Sequence, residues 1–174
     1  MAHDGMPNRP TAKPTLVDYA FRVAYVCAYR GMRIYWKITH PETQGSLVTL
    51  WNRGEVLLVR NSYVPYYSLP GGYIRRGEAP ADAAIRELTE EIGVSAKAED
   101  LALVFDRTQP WEGKRDHVRI FSLDVASRPE IRVDNREVIE AAWWLPERAL
   151  GLNLFPPVRT VLEERARGGS AHTP

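Results

Sequence analysis

The stretch from Gly72 to Val94, GYIRRGEAPADAAIRELTEEIGV, constrains the fold more tightly than any other part of the chain. Pro80 suits the first position of a helix, where its missing N–H would have no partner in any case. Gly93 suits the position just past the last turn, where a left-handed backbone is common. Between them Ala81, Ile85, Leu88 and Ile92 recur at spacings of 4, 3 and 4. They form one apolar stripe on a helix of about three turns. Glu87, Glu90 and Glu91 fall on a different arc, roughly 100° wide. Like charges that close repel, so the arc needs an explanation. Arg86 stands four residues before Glu90 and can pair with it along the helix.

On spacing alone two readings of the arc stay open. One is a solvated acidic face, the usual meaning of glutamates on a helix. The other is a site for a hard divalent cation, which takes oxygen ligands and is often held by one or two carboxylates plus substrate phosphates. Such an ion would also relieve the repulsion. Just upstream, Gly71 and Gly72 permit a main-chain carbonyl to approach a cation closely. Arg75 and Arg76 follow, either as ordinary surface charge or as partners for phosphate oxygens, which match the guanidinium fork.

The rest of the chain is read by the same means. Residues 1–15 and 167–174 are expected to be flexible tails. Residues 16–38 predict an amphipathic helix, with Asp18, Arg22, Arg30, Arg33 and Lys37 within roughly a third of its circumference. Five charges exclude a membrane span. The favoured reading packs the wide apolar arc on its own domain or on a second copy, giving a homodimer. The less favoured one lays it on a membrane surface, basic residues up and Phe21, Tyr35 and Trp36 down. Gly31 weakens its middle by about 1 kcal/mol relative to Ala. A polar link closes this segment, 16–44, and the main domain is expected over 45–166.

In that domain SLVTLWN and EVLLVRN, split by NRGE, predict a hairpin. YYSLPGG predicts a short strand entering a Pro-Gly-Gly turn. LALVFDRT, DHVRIFSLDV and AAWWLP read as further strands, PERALGL as a short helix and PPVRTVLEERAR as a final one. Strands mixed with few helices indicate an α/β (α+β) sandwich and not a doubly wound parallel sheet. With 23 basic and 22 acidic residues, the net charge of +1 gives no bulk attraction to nucleic acid. One cysteine forbids an internal disulfide, and four scattered histidines lack zinc-ligand spacing. No basic segment followed by an apolar run opens the chain, so the expected location is cytoplasmic.

The acidic stretch resembles the Nudix box, G-x5-E-x7-R-E-U-x-E-E-x-G-U with U aliphatic. Gly72, Glu78, Arg86, Glu87, Leu88, Glu90, Glu91, Gly93 and Val94 fill every specified position. The leading SLPGG also matches the usual lead-in. The resemblance covers about residues 45–165 and says little about residues before 45. It implies an αβα sandwich with a mixed sheet, to which the N-terminal helix is an addition. It implies hydrolysis of a nucleoside diphosphate linked to another moiety, with Mg²⁺ or Mn²⁺ as cofactor. By position, Glu87, Glu90 and Glu91 would be metal carboxylates, with the Gly71 carbonyl as a further ligand. Arg86 would orient them, and Glu78 would support the loop. The ion would neutralise the pyrophosphate and lower the pKa of bound water.

The general base stays open between Glu90 or Glu91 in the box and a carboxylate in the later NREVIEAAWW region, first Glu137 and then Glu140. The substrate is a small nucleotide. Pro110 lies 16 residues after Val94, a spacing that resembles ADP-ribose pyrophosphatases. FPPVR at 155–159 resembles a segment lining the base pocket of nucleoside-triphosphate members, which points instead to a (d)NTP. Trp111 either stacks on a base or anchors its loop. The alternatives are a catalytically silent nucleotide-binding or regulatory module, against which the intact box argues, and an enzyme of RNA 5′ ends, which the near-neutral charge does not favour.

Overall fold

The structure, a computed structural model, describes residues 14–133 and 135–169. The expected tails lie mostly outside that range. Their inner ends are ordered elements: Thr15 caps a helix, and the last helix runs on to Gly169.

Strands β1 (Glu42–Asn52) and β2 (Glu55–Asn61) form the expected hairpin. Its two turn residues, Arg53 and Gly54, both have positive φ, 49° and 82°. This geometry suits the twist of paired strands. The strands pair at Trp51↔Val56 and Asn52↔Glu55 and then part. Into the opening come β3 (Tyr67–Ser68), along β2, and β4 (Gly71–Tyr73), along β1. Gly71 and Gly72 are therefore not a turn, as the sequence suggests, but a short strand opposite Leu47 and Ser46. The approach is very close: a Cβ on Gly71 would lie 2.3 Å from the Ser46 carbonyl oxygen, and φ there is 147°.

β5 (Ala102–Trp111) and β6 (Lys114–Asp124) make a second hairpin. β6 runs parallel to β1 from Glu42↔Arg115 to Trp51↔Asp124. β1 consequently begins inside the polar stretch expected to be a link, because β6 supplies backbone partners from Arg115 onward. β7 (Val138–Trp144) pairs with β2. Among the described residues these seven strands form one mixed sheet.

A core lies on each face, giving the expected three layers. Helix α2 (Pro80–Ile92) covers Val48, Leu50, Leu57 and Val59. Helices α3 (Pro146–Ala149) and α4 (Pro156–Gly169) lie on the side of Leu47, Trp51, Val56 and Leu58. Burial on both faces explains why β2 reads as an unbroken apolar run. The buried residues of α2 are Ala83, Ala84, Leu88 and Ile92, whereas Ala81 and Ile85 are half-buried. The packed face is thus turned toward the glutamates relative to the expected stripe. Two alanines let the helix lie close to β1 and β4, and the Ser46 hydroxyl donates to the Pro80 carbonyl at 2.7 Å.

Helix α1 (Leu16–Thr39) starts at a capping box between Thr15 and Asp18 and ends at His40 in the left-handed conformation. It packs on its own domain, but with the opposite face to the one expected. Asp18, Arg22, Tyr25, Tyr29, Arg33 and Trp36 turn inward. Leu16, Val17, Val23, Ile34 and Ile38 are exposed. The inner side finds polar partners. Arg22 Nε donates to the Asn135 carbonyl at 2.8 Å, Arg136 pairs with Asp18 at 3.1 Å and Arg33 with Glu112 at 3.3 Å. Trp36, grouped by sequence with the membrane-directed side, is buried beside Lys114. No helix among the described residues is long and apolar enough to cross a membrane.

Leu88 joins α2 to the sheet and is fully buried. Leu88→Ala should destabilise the fold by about 2–5 kcal/mol, read as a shift in the urea-unfolding midpoint at unchanged slope. A shift of a few tenths of a kcal/mol would mean that α2 does not hold this core together.

Candidate active site

Arg86 sits at the centre of the acidic helix face with its side chain only 16% exposed. Its Nε and Nη2 donate to the two oxygens of Glu78 at 2.7 and 3.0 Å. Its Nη1 donates to Glu87 at 2.5 Å and, less closely, to Glu90 at 3.3 Å. Nη2 also reaches the Tyr73 carbonyl at 3.1 Å. The Arg86–Glu90 pair expected from helical spacing exists, but Glu78 and Glu87 are the closer partners. Glu78 further accepts the Arg75 backbone N–H at 2.8 Å. It is thus the brace between loop and helix. The Arg86 guanidinium, and then the Arg75 N–H, hold its carboxyl at about 2, against an ordinary 4.5.

The other two glutamates meet β4. Glu91 Oε2 accepts the Gly71 N–H at 2.9 Å. A Cβ on Gly72 would lie 2.6 Å from Glu87 Oε1, so glycine is needed there for the carboxylate to come in. Glu87 and Glu91 are half-buried at the margin of the packed face, and Glu90 is exposed. Their oxygens form a donor set suited to a hard divalent cation. Among the described residues no three acidic, histidine or cysteine side chains converge on one point. Glu87 and Glu90 are instead turned to Arg86, and Glu91 to Gly71. Arg75 is exposed and reaches Glu90 at 3.5 Å, and Arg76 is exposed.

Beside this face lies a cavity of about 320 Å³. Gly71, Gly72 and Glu137 line it, as do Trp111 and Phe155. The two late carboxylates part company here. Glu137 lines the cavity and accepts the Tyr63 hydroxyl at 2.9 Å. Glu140 is buried elsewhere, held by Arg60 at 3.0 Å and the Tyr67 hydroxyl at 2.8 Å. Burial, and then the Glu137 charge, push the Tyr63 hydroxyl up, so it stays a donor. Trp111 packs edge-on against Phe155 with centroids 5.2 Å apart, so one ring both anchors its strand end and faces the cavity.

Several cavity residues carry no signal in the sequence. Lys114 and Asp116 form a buried ion pair at 3.2 Å, and burial lowers the lysine's pKa. Asn61 ends β2 and Tyr63 follows it, with no motif around them.

The NUDIX domain family matches residues 42–164. The chain belongs to the Nudix family. It is 32% identical over 144 residues to the NAD-capped RNA hydrolase NudC of Citrobacter koseri, covering 79% of this chain and 50% of that protein. It is 34% identical over 101 residues to the ADP-ribose pyrophosphatase of Methanocaldococcus jannaschii, covering 55% and 58%. The fold matches the MutT protein of Methanosarcina mazei Go1 at a TM-score of 0.64 and 23% identity, over 75% of this chain and 97% of that one. The chain spans 37%, 49% and 62% of three curated relatives it matches. The mixed sheet with flanking helices is thus the Nudix fold, and α1 precedes the matched segment.

The brace has a pH signature. The Glu78 carboxyl is depressed in the folded state, from 4.5 to about 2. Its contribution to stability is therefore full above pH 4.5 and is lost as pH falls through about 2. Glu78→Gln should be less stable than wild type at neutral pH, and the gap should shrink through that window. A gap independent of pH, measured by denaturant unfolding across the range, would mean that the ion pair does not supply it.

Proposed function

We propose that this protein hydrolyses the pyrophosphate bond of a nucleoside diphosphate linked to another moiety, ADP-ribose-like or a (d)NTP. The observation that carries the reading is the contact of Glu91 with the Gly71 N–H and of Glu87 with Gly72, beside an aromatic-lined cavity. Relatives named 8-oxo-dGTP diphosphatase, NAD-capped RNA hydrolase and ADP-ribose pyrophosphatase support it.

Glu87, Glu90 and Glu91, with the Gly71 carbonyl, would hold Mg²⁺ or Mn²⁺. When bound, the ion supplies charge neutralisation of the pyrophosphate and a more acidic water. The chain's own residues do the rest. Arg86 keeps Glu87 and Glu90 oriented and is itself fixed by Glu78. Glu91 stands next to the backbone of Gly71, where a phosphate can come close because no side chain intervenes. Arg75 and Arg76 are within the same exposed loop and would meet phosphate oxygens. A carboxylate takes the proton from water. Glu91 and Glu90 are the box candidates, and Glu137 is the late candidate, since it faces the cavity with one oxygen on Tyr63. Glu140 drops out of this role because Arg60 and Tyr67 already hold it.

A second copy of this chain is the partner best suited to the outward face of α1. A two-fold pair needs a self-complementary patch. The stripe from Leu16 to Ile38 is centred on exposed Cys27, so antiparallel pairing sets Leu16 against Ile38 and Cys27 against its counterpart. Mild oxidation should then yield a covalent dimer that Cys27→Ser abolishes. A monomer by light scattering at high concentration, uncrosslinked, rejects the pairing.

Glu91→Gln should lower kcat about a hundredfold or more with unchanged circular dichroism. Chelation should abolish turnover, and Mg²⁺ or Mn²⁺ should restore it. The assay is a panel of ADP-ribose, NADH, diadenosine polyphosphates, sugar nucleotides and (d)NTPs with products identified. No turnover of any of them with either ion would establish the silent binding module instead.

A further inference from the structure

Helix α1 precedes the segment that matches the family, yet it closes one side of the cavity. Tyr25, Ala28, Tyr29, Met32 and Trp36 line it at spacings of 3, 1, 3 and 4, which is one helix face. The Tyr25 and Tyr29 rings lie 6.0 and 5.1 Å from that of Tyr63. The helix is fastened along its length. Near its start Asp18 and Arg22 hold the segment at Asn135 and Arg136, next to Glu137. In its second half the Tyr29 hydroxyl and Arg33 meet Glu112, and His40 Nδ1 lies 2.9 Å from the Gly113 carbonyl oxygen. These ties make α1 a fixed wall and not an appended tail.

The cavity has its own chemistry. Its sides are flat rings, which favour a planar ligand. The Asn61 side-chain nitrogen donates to the Tyr63 hydroxyl at 3.1 Å, while its Oδ1 is buried and has no hydrogen-bond partner among the described residues. A buried acceptor left unpaired is costly, and a ligand N–H would satisfy it. The volume is at the small end of the roughly 300–1,000 Å³ typical of small-molecule sites, which suits one ring-bearing group and not two.

We infer that α1 is the specificity wall of this site, and that the cavity takes one nucleobase, its ring against Tyr25 and Tyr29 and an edge N–H donated to Asn61 Oδ1. The pyrophosphate then lies toward Gly71 and Gly72. The inference rests on reading the carboxylate face as the hydrolytic centre.

The test separates the two readings by measuring binding apart from turnover. AMP and ribose 5-phosphate are titrated by calorimetry into the full chain, and KM and kcat are measured for ADP-ribose and dGTP. Wild type should bind AMP more tightly than ribose 5-phosphate. Tyr25→Ala, which removes a ring, and Ala28→Trp, which fills the space from a small exposed position, should each weaken AMP binding about tenfold and raise KM far more than they lower kcat. Asn61→Leu should erase most of the preference for AMP. Arg30→Ala, on the exposed side of the same helix, should change neither constant. Unchanged AMP affinity in both Tyr25→Ala and Ala28→Trp overturns the inference, as does equal binding of the two ligands by wild type. If AMP binding responds as expected but nothing is hydrolysed, the wall stands and the hydrolase reading falls.

Discussion

The parting of β1 and β2 is the constraint on which the rest of the structure depends. β1 is bonded to β6 along its whole length on one edge. On its other edge it meets β2 at the hairpin end and β4 farther back. Buried backbone groups freed by the parting must find other partners. The Val48 N–H finds the Pro70 carbonyl at 2.9 Å, and Gly45 to Leu47 find Tyr73 to Gly71. The same opening carries β3 and β4 in from the side and leaves room for the cavity between them. Gly71 and Gly72 are therefore set by two demands at once. They must approach β1 as a strand and must leave space for Glu87 and Glu91 from α2.

The electrostatics follow from that placement. Crowded glutamates on α2 are tolerable because Arg86 lies among them, largely screened from water. The pairs are unequal. Glu78 is held through both oxygens and a backbone N–H, so it is the fixed partner. Glu87 and Glu90 share a single guanidinium nitrogen. A cation arriving at the face would compete with Arg86 for these two and leave the Glu78 brace intact. An arginine anchored on one side can release carboxylates on the other without losing its own position.

The helix bounds at Pro80 and Gly93, the first hairpin, the late strands and the complete box were legible because each rests on local rules. The packed face of α2 is harder to read, since alanines weigh little in hydrophobic periodicity although Ala83 and Ala84 decide how closely the helix lies on the sheet. The Gly-Gly strand was missed because paired glycines read as a turn unless the neighbouring strand is known. Asn61, Lys114 and Asp116 could not be grouped in advance. Asn61 ends β2 while Lys114 and Asp116 stand on β6, and the two strands bring them to one cavity only through the opening in the sheet. The separate fates of Glu137 and Glu140 are a matter of three residues along β7 and its approach, which no spacing rule distinguishes.

The reversal of α1 has the most consequence. A wheel identifies the apolar face of a helix but not what the domain offers to it. Here the domain offers carbonyls, Glu112, Arg136 and the Tyr63 ring, so the polar and aromatic side goes inward. Caps at both ends, Thr15 with Asp18 and His40, help keep the helix formed although much of its apolar surface is outside. One rigid element thus has two faces, a cavity wall and an apolar stripe. Whatever covers the stripe and whatever fills the cavity act on the same helix. If covering the stripe changes how firmly α1 holds its place, linkage requires that filling the cavity change the covering by an equal free energy.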